Sequence, residues 1–277
     1  MKHTLPLLVA SLCFGAMAVA VRAAGHELSV LQIACVRFVG SFLLLLVGAV
    51  PFGPLTRTAS VRVLVLRGLV GTVAIVLFFV GIEGAGAALA TLLQNTHPVF
   101  TALLASVAGG ERLAPRALLA LALNVSGVAV VMTPGVHLGT AFVRGAVCAL
   151  LAAMLSSVAV TTAAHLRRTE STTLVTLYFM GTGAVVTAPA LATGMAWPSH
   201  AALLALGVMI ATSAVGQWLM HFGLGYTSAT AGSIGVATSV VTAAVAEALW
   251  LGIHPAPTTW AGGALMILAV WLAAPPR

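Results

Sequence analysis

The chain is poor in charge. Lys and Arg number 12, Glu 5 and Asp none, so charged residues fill 6% of 277 positions, against about 25% in an ordinary soluble domain. So few charges cannot cover a water-facing surface, which excludes a soluble globular protein. Cysteine is sparse too. Cys13, Cys35 and Cys148 each lie inside an apolar run without paired spacing, which argues against disulfides and Cys-ligated metal and leaves them as small core residues. Paired acids, Cys/His ligand spacings and Gly-rich phosphate loops are missing, so no metal and no cofactor is expected. The alternation of a membrane strand is missing as well, which excludes a β-barrel. A net charge of +7 would suggest nucleic acid in a soluble protein. Here the basic residues sit mostly between apolar runs, where they set orientation in a bilayer, and no nucleic-acid partner is expected.

What is present is apolar: 61% of residues are hydrophobic, with mean hydropathy +1.13. Ten apolar segments can be counted, at about 4–23, 28–50, 62–83, 86–108, 115–133, 142–165, 171–193, 200–222, 227–251 and 258–274. Each is long enough to cross a hydrocarbon core at ~1.5 Å per residue. Dividing 277 residues among ten segments leaves under 28 for each helix and its connection, so loops are short and no soluble domain fits. The longest connection, Pro51 to Val61, carries the turn residues Pro51, Gly53 and Pro54. The expectation is an all-α membrane protein whose surroundings are the lipid bilayer. Lys2, the first run and Ala18-Val19-Ala20 have the outline of a signal peptide, but the run is long for one and has a repeat counterpart.

Sliding the chain against itself by 142 residues pairs all ten segments, one with six through five with ten. Gly81 falls on Gly223, Thr96 on Thr238, Ala102 on Ala244 and Pro115 on Pro257. Two repeats, 1–139 and 140–277, then hold five helices each. Five is odd, so the second repeat enters the membrane the opposite way round, giving an inverted repeat. The charges agree. With the N-terminus inside, Lys2, Arg57, Arg62, Arg67, Arg112, Arg116, Arg167, Arg168 and Arg277 fall on the inner side, and Arg22 and Arg144 on the outer. The repeat partners of five of the inner arginines are Ser199, Leu204, Met209, His254 and Thr258, none of them Lys or Arg. Trp197, Trp250 and Trp260 fall at outer ends, as an aromatic belt would.

The most informative stretch is Thr91-Leu92-Leu93-Gln94-Asn95-Thr96-His97-Pro98. Four consecutive polar side chains and a proline inside an apolar run need protein or water partners. At about 100° per residue, Thr91, Gln94, His97, Pro98 and Thr101 share a helix face, with Asn95 at its edge. Pro98 also frees a carbonyl near residue 94, kinking the helix or exposing an acceptor. Either the patch lines a central cavity or it bonds neighbouring helices. Four polar groups exceed what one helix contact needs, which favours the cavity.

Further candidates follow the repeat. Ser233, Thr238 and Ser239 are helix-nine partners of the helix-four patch, with Thr242 nearby; their hydroxyls bond substrate or their own helix. Helix eight offers Thr212, Ser213, Gln217 and Trp218, and helix six Ser156-Ser157 and Thr161-Thr162. Substrate-binding candidates are thus Thr91, Gln94, Asn95, His97, Gln217, Trp218 and Ser239. Glu247 is the one acid well inside a span and is a candidate proton carrier, as is His97; its alternative is an Arg-paired carboxylate near the interface. Glu83 reads as a rim residue and His221 as an interfacial one. Glu111-Arg112 reads as a loop cap, with Pro115 opening helix five.

The pattern resembles the EamA-like branch of the drug/metabolite transporter superfamily. The resemblance covers essentially the whole chain. It is carried by the twice-repeated five-helix unit, Arg37 in the second helix, His97-Pro98-Val99-Phe100, the downstream Gly110-Glu111-Arg112-Leu113, and Gly127-Val128. The second repeat departs from the pattern, with Val240 for the proline, Ile253 for the glutamate and Ala269-Val270 for the closing pair. The resemblance implies ten transmembrane helices with both termini cytoplasmic. It also implies a central cavity lined by helices one, three, four, six, eight and nine, and outward movement of small metabolites, often amino acids. Arg37 costs ~2.5–3.5 kcal/mol mid-membrane unless partnered. It either binds a substrate carboxylate or anchors on carbonyls or Glu247; helix two is peripheral in the resembled fold, which favours structure.

The expected function is therefore secondary transport at the inner (plasma) membrane, exporting amino acids or related small polar solutes by alternating access. Protons are a candidate coupling ion, and the unit is a monomer or a homodimer. A channel or facilitator is the alternative, separable by saturable, competable flux. An intramembrane enzyme is the remoter one. Ala231-Gly232-Ser233-Ile234-Gly235 resembles a serine elbow but has Ala231 where a glycine is required, and no activating acid or His is placed for Ser233.

Overall fold

The computed structural model describes residues 5–49, 60–108, 115–131, 139–194, 197–226, 239–254 and 256–273. These form helices α1 Leu5–Ala24, α2 Val30–Ala49, α3 Val61–Ala85, α4 Ala87–Gln94, α5 His97–Ala108 and α6 Pro115–Val131. There follow α7 Thr140–Leu166, α8 Thr172–Thr187 with a 3-10 extension Ala188–Thr193, α9 His200–Leu224, α10 Ser239–Leu251 and α11 Pro257–Ala273. Among the described residues there is no strand. Among the described residues six helices are long and apolar enough to cross a membrane, with shorter apolar helices beside them. Large apolar side chains face outward: Val185 is 75%, Leu204 70% and Leu249 83% exposed. Such a surface is stable against lipid, where apolar side chains cost nothing to expose. The protein is an all-helical, multi-pass membrane protein.

Helix starts follow local chemistry. Ser171 and Ser199 stand before α8 and α9 in extended conformation, and their hydroxyls accept from Leu174 N–H and Ala202 N–H. Glu27, in the connection after α1, accepts from the Ser199 N–H at 2.8 Å and from its hydroxyl. Those bonds to the charged form hold its carboxyl below the usual carboxylate range.

The segment expected as one helix over about 86–108 is two, α4 and α5. Pro98 supplies no N–H, and its ring collides with the carbonyl four residues back, that of Gln94. The chain turns at Asn95 and Thr96 and starts again at His97, which puts Pro98 in a first turn where no N–H is needed. Upstream, Gly86 separates α3 from α4 with φ +91°, a conformation glycine takes without strain.

The bundle is held by close helix pairs: α3 on α7, α1 on α9, α6 on α11, and α2 on α8. Small residues let the backbones approach. A Cβ on Gly145 would lie 2.9 Å from Ala85 N and 2.9 Å from Gly84 Cα, and one on Gly127 would lie 2.8 Å from the Gly262 carbonyl. In lipid, where no hydrophobic force separates helices from solvent, such packing carries much of the association. The three cysteines are free. Trp197, Trp250 and Trp260 are exposed. Ser233, Thr238, the 231–235 stretch and the 110–113 stretch lie outside the described residues.

Candidate functional site

The break between α4 and α5 exposes polar groups, and each finds a defined neighbour. Asn95 Nδ2 donates to the Thr91 carbonyl at 2.9 Å and to Ser239 Oγ, at the start of α10, at 2.7 Å. Gln94 Nε2 donates to Ser156 Oγ on α7 at 2.6 Å. Thr96 Oγ1 donates to the Leu93 carbonyl and Thr101 Oγ1 to the His97 carbonyl. The break is thus tied to α7 and α10, and the loose carbonyls at the end of α4 are in part satisfied by side chains.

These residues border an internal cavity of about 100 Å³, room for several water molecules or the polar end of a small solute. Thr91, Gln94, Asn95, His97, Gln217 and Ser239 line it, with Ser156 beside them. The rest of the lining is largely apolar, with Phe14 and Met17 from α1, Ile75 and Phe78 from α3, Phe179 from α8 and Met220 from α9. Several buried polar atoms around it have no partner among the described residues: Thr91 Oγ1, Gln94 Oε1 and His97 Nδ1. Buried polar groups are nearly always bonded, so such a cluster marks a place where something polar is held.

Two further residues belong here that the sequence reading assigned elsewhere. Arg67 was expected on the inner surface. Instead it is 4% exposed, lines the cavity, and lies over the Phe179 ring at 4.0 Å. It sits nearly two turns into α3, where the helix has turned it inward. His221 was expected at the interface. It is fully buried, because α9 continues past it to Leu224 and α8 packs over it. Arg67 Nη2 lies 2.8 Å from His221 Nε2, and His221 Nδ1 lies 2.8 Å from Thr176 Oγ1. An arginine only donates, so Nε2 accepts, and Nδ1 carries the proton it gives Thr176. Thr176 in turn donates to the Thr172 carbonyl at 2.7 Å. Gln217 Nε2 approaches the same Nε2 at 3.1 Å. Arg167 Nε donates to the His221 carbonyl at 3.0 Å, bracing that turn of α9 from below.

The remaining candidates lie apart. Trp218 does not line the cavity; its Nε1 donates to Thr173 Oγ1 at 3.3 Å and its ring stacks on Phe222 at 5.4 Å. Glu247 is also outside. It pairs with Arg22 at 3.0 Å and accepts from the Ala87 and Ala88 N–H at 3.0 and 2.8 Å. From α10 it therefore caps the start of α4, where the positive end of the helix favours a carboxylate. Arg37 is fully buried among rings, 4.7 Å from Phe38, 6.0 Å from Phe79 and 5.9 Å from Phe179. Its three guanidinium nitrogens have no hydrogen-bond partner among the described residues. Thr161, Thr162 and Thr212 bond carbonyls of their own helices, the packing alternative of the two readings. Among the described residues no group of three or more His, Cys, Asp or Glu could hold a metal ion.

The model of the EamA-like transporter family matches residues 2–133 and again 143–274. Two Helicobacter pylori proteins, from strains J99 and 26695, each named an uncharacterized transporter, are 28% and 27% identical over 240 residues, spanning 82% of this chain and 78% of theirs. A solved structure, titled only as the crystal structure of a protein, superposes with TM-score 0.73 at 19% identity, over 98% of this chain and 96% of that one. That likeness shows the fold.

Proposed function

The chain belongs to the EamA-like transporter family, and on that premise we propose that this membrane transporter is a ten-helix secondary carrier that exports amino acids or related small polar solutes by alternating access. The observation that carries the reading is the cavity at the α4–α5 break, with its unpartnered Thr91, Gln94 and His97 atoms. Neutral donors and acceptors there suit a small polar metabolite.

The repeat reading, 1–139 and 140–277 in inverted orientation, is supported by two observations. The family model matches once in each half. The helix pairs also map onto one another when the halves are exchanged: α1 on α9 becomes α7 on α3, α2 on α9 becomes α8 on α3, and α2 on α8 and α6 on α11 map onto themselves. Two such halves exchange inward- and outward-open shapes readily. The arginine distribution supports an inner-membrane orientation with both termini cytoplasmic. Of the two candidate proton groups, His97 borders the cavity while Glu247 is engaged with Arg22, which favours His97.

The test is flux of radiolabelled amino acids in proteoliposomes, with and without an imposed pH gradient. Saturable, competable flux that falls in Gln94→Ala and His97→Ala supports the carrier. Flux that rises linearly without competition supports a channel instead, and flux unchanged in both variants returns the patch to packing.

A further inference from the structure

We infer that the cavity holds its substrate by a carboxylate bound to Arg67, and so selects carboxylates with an apolar body over the matching amines and amides. This deepens the carrier reading above and rests on it for its transport readout.

The inference starts from unbalanced charge. Arg67 is 4% exposed and borders the cavity; among the described residues its Nη2 has a partner, His221, while Nε and Nη1 have none. A guanidinium offers five N–H donors in a planar fork matched to a carboxylate. No carboxylate of the described chain supplies that match. Glu247 is taken by Arg22; Glu83 lies on the far rim, 3.8 Å from Arg144; Glu27 is bonded to Ser199; and Glu170 stands in the α7–α8 connection, away from the cavity. Arg37 adds a second buried guanidinium on the same Phe179 ring. Two buried cations with no anion among the described residues, in a low-dielectric interior, are costly to keep. An anionic substrate removes that cost when it binds.

The surroundings fix how the substrate lies. The Arg67, His221, Thr176 and Thr172 chain pins Nη2 and holds the guanidinium plane; His221 is a positioning residue. Phe14, Ile75, Phe78 and Met220 also line the cavity, and such an apolar lining suits a hydrocarbon body. Among the described residues no acid lines the cavity to pair an ammonium. An amino acid is still accommodated, because Gln94 Oε1 and Thr91 Oγ1 can accept from its amino group. A bare amine meets the same two acceptors, but it leaves the Arg67 fork unmatched and brings a third positive charge beside two buried guanidinium groups.

The test uses purified full-length protein in detergent and two matched series: isovalerate, isovaleramide and isoamylamine; and phenylacetate, phenylacetamide and phenethylamine. Binding is read as thermal stabilisation across a millimolar titration. The acids are expected to stabilise the wild-type protein and the amides and amines not to. Arg67→Lys, which keeps charge but loses the fork, should weaken the acids at least about tenfold, and Arg67→Gln should abolish the effect. An amide or amine binding as tightly as its acid overturns the inference on the wild-type protein alone, whatever the variants do. So does failure of both acids to bind. In proteoliposomes, acid-selective binding without any flux would sink the carrier reading and leave this one standing. Leucine flux competed by isovaleramide but not by isovalerate would do the reverse.

Discussion

Replacing Glu247 by alanine removes one side chain that ties three helices together. Its carboxylate accepts from the Ala87 and Ala88 N–H of α4 at 3.0 and 2.8 Å and pairs with Arg22 of α1 at 3.0 Å. Hydrogen bonds to a charged group contribute ~1.5–3 kcal/mol each, so the two backbone bonds alone come to about 3 kcal/mol at the low end. The low end applies because water and lipid headgroups can reach Arg22, whose side chain is 26% exposed, and the ion pair itself adds only ~1 kcal/mol. A chain of this size loses about 2–4 °C in Tm per kcal/mol, so the roughly 4 kcal/mol lost with both bonds and the ion pair should make Glu247→Ala melt roughly 8–16 °C below wild type in detergent. Glu247→Gln keeps one carbonyl oxygen for a backbone N–H and should fall midway. Arg22→Ala should cost less than Glu247→Ala, because the two N–H bonds survive it. A Glu247→Ala shift under about 2 °C, or an Arg22→Ala shift larger than that of Glu247→Ala, would refute the cap.

Three other outcomes follow from the same structure. Gly86→Ala puts a Cβ at φ +91° and against the Arg22 guanidinium, so it should cost at least ~1–2 kcal/mol, seen as a lower Tm, while Gly194→Ala, which shares the left-handed backbone at φ +76° but meets open space, should cost less because it adds no clash. Glu27 has its carboxyl lowered by Ser199, so its contribution is present above its unfolded pKa of about 4.3 and is lost as pH falls through the lower folded value; Glu27→Gln should lower Tm at neutral pH and cease to differ from wild type in strong acid. Pro98→Ala restores an N–H and removes the ring facing the Gln94 carbonyl; it should leave the protein folded by size-exclusion profile but reduce flux, because the α4–α5 break is no longer imposed.

Much of the helix-four site was legible because polar residues in an apolar run have few physical outlets. Gln94, Asn95 and His97 had to meet protein or a cavity, and Pro98 had to interrupt the helix; the offset of 142 led to Ser239, which Asn95 does bond. Arg67 was missed because it stands in series with Arg57 and Arg62, where a basic residue is ordinarily an orientation signal. The available clue was its depth, six residues into an apolar segment starting at about 62. His221 was missed for a different reason. Its partners Arg67 and Thr176 are 154 and 45 residues away, on other helices, and no spacing along one chain encodes that. Trp218 was grouped with Gln217, yet adjacent residues on a helix point about 100° apart, so a cavity claiming one turns from the other.

In the proposed carrier, substrate sits in the cavity at the α4–α5 break, and that cavity opens in turn to each side. Ala159 lines that cavity, is 4% exposed and carries no polar atom that the site uses. With Cys13, Cys35 and Cys148 replaced, Ala159→Cys should react with a membrane-impermeant maleimide added from either face, and a transported solute should slow the reaction from both. Labelling from neither face in protein that still catalyses flux, or labelling that a transported solute leaves unchanged, would contradict the account.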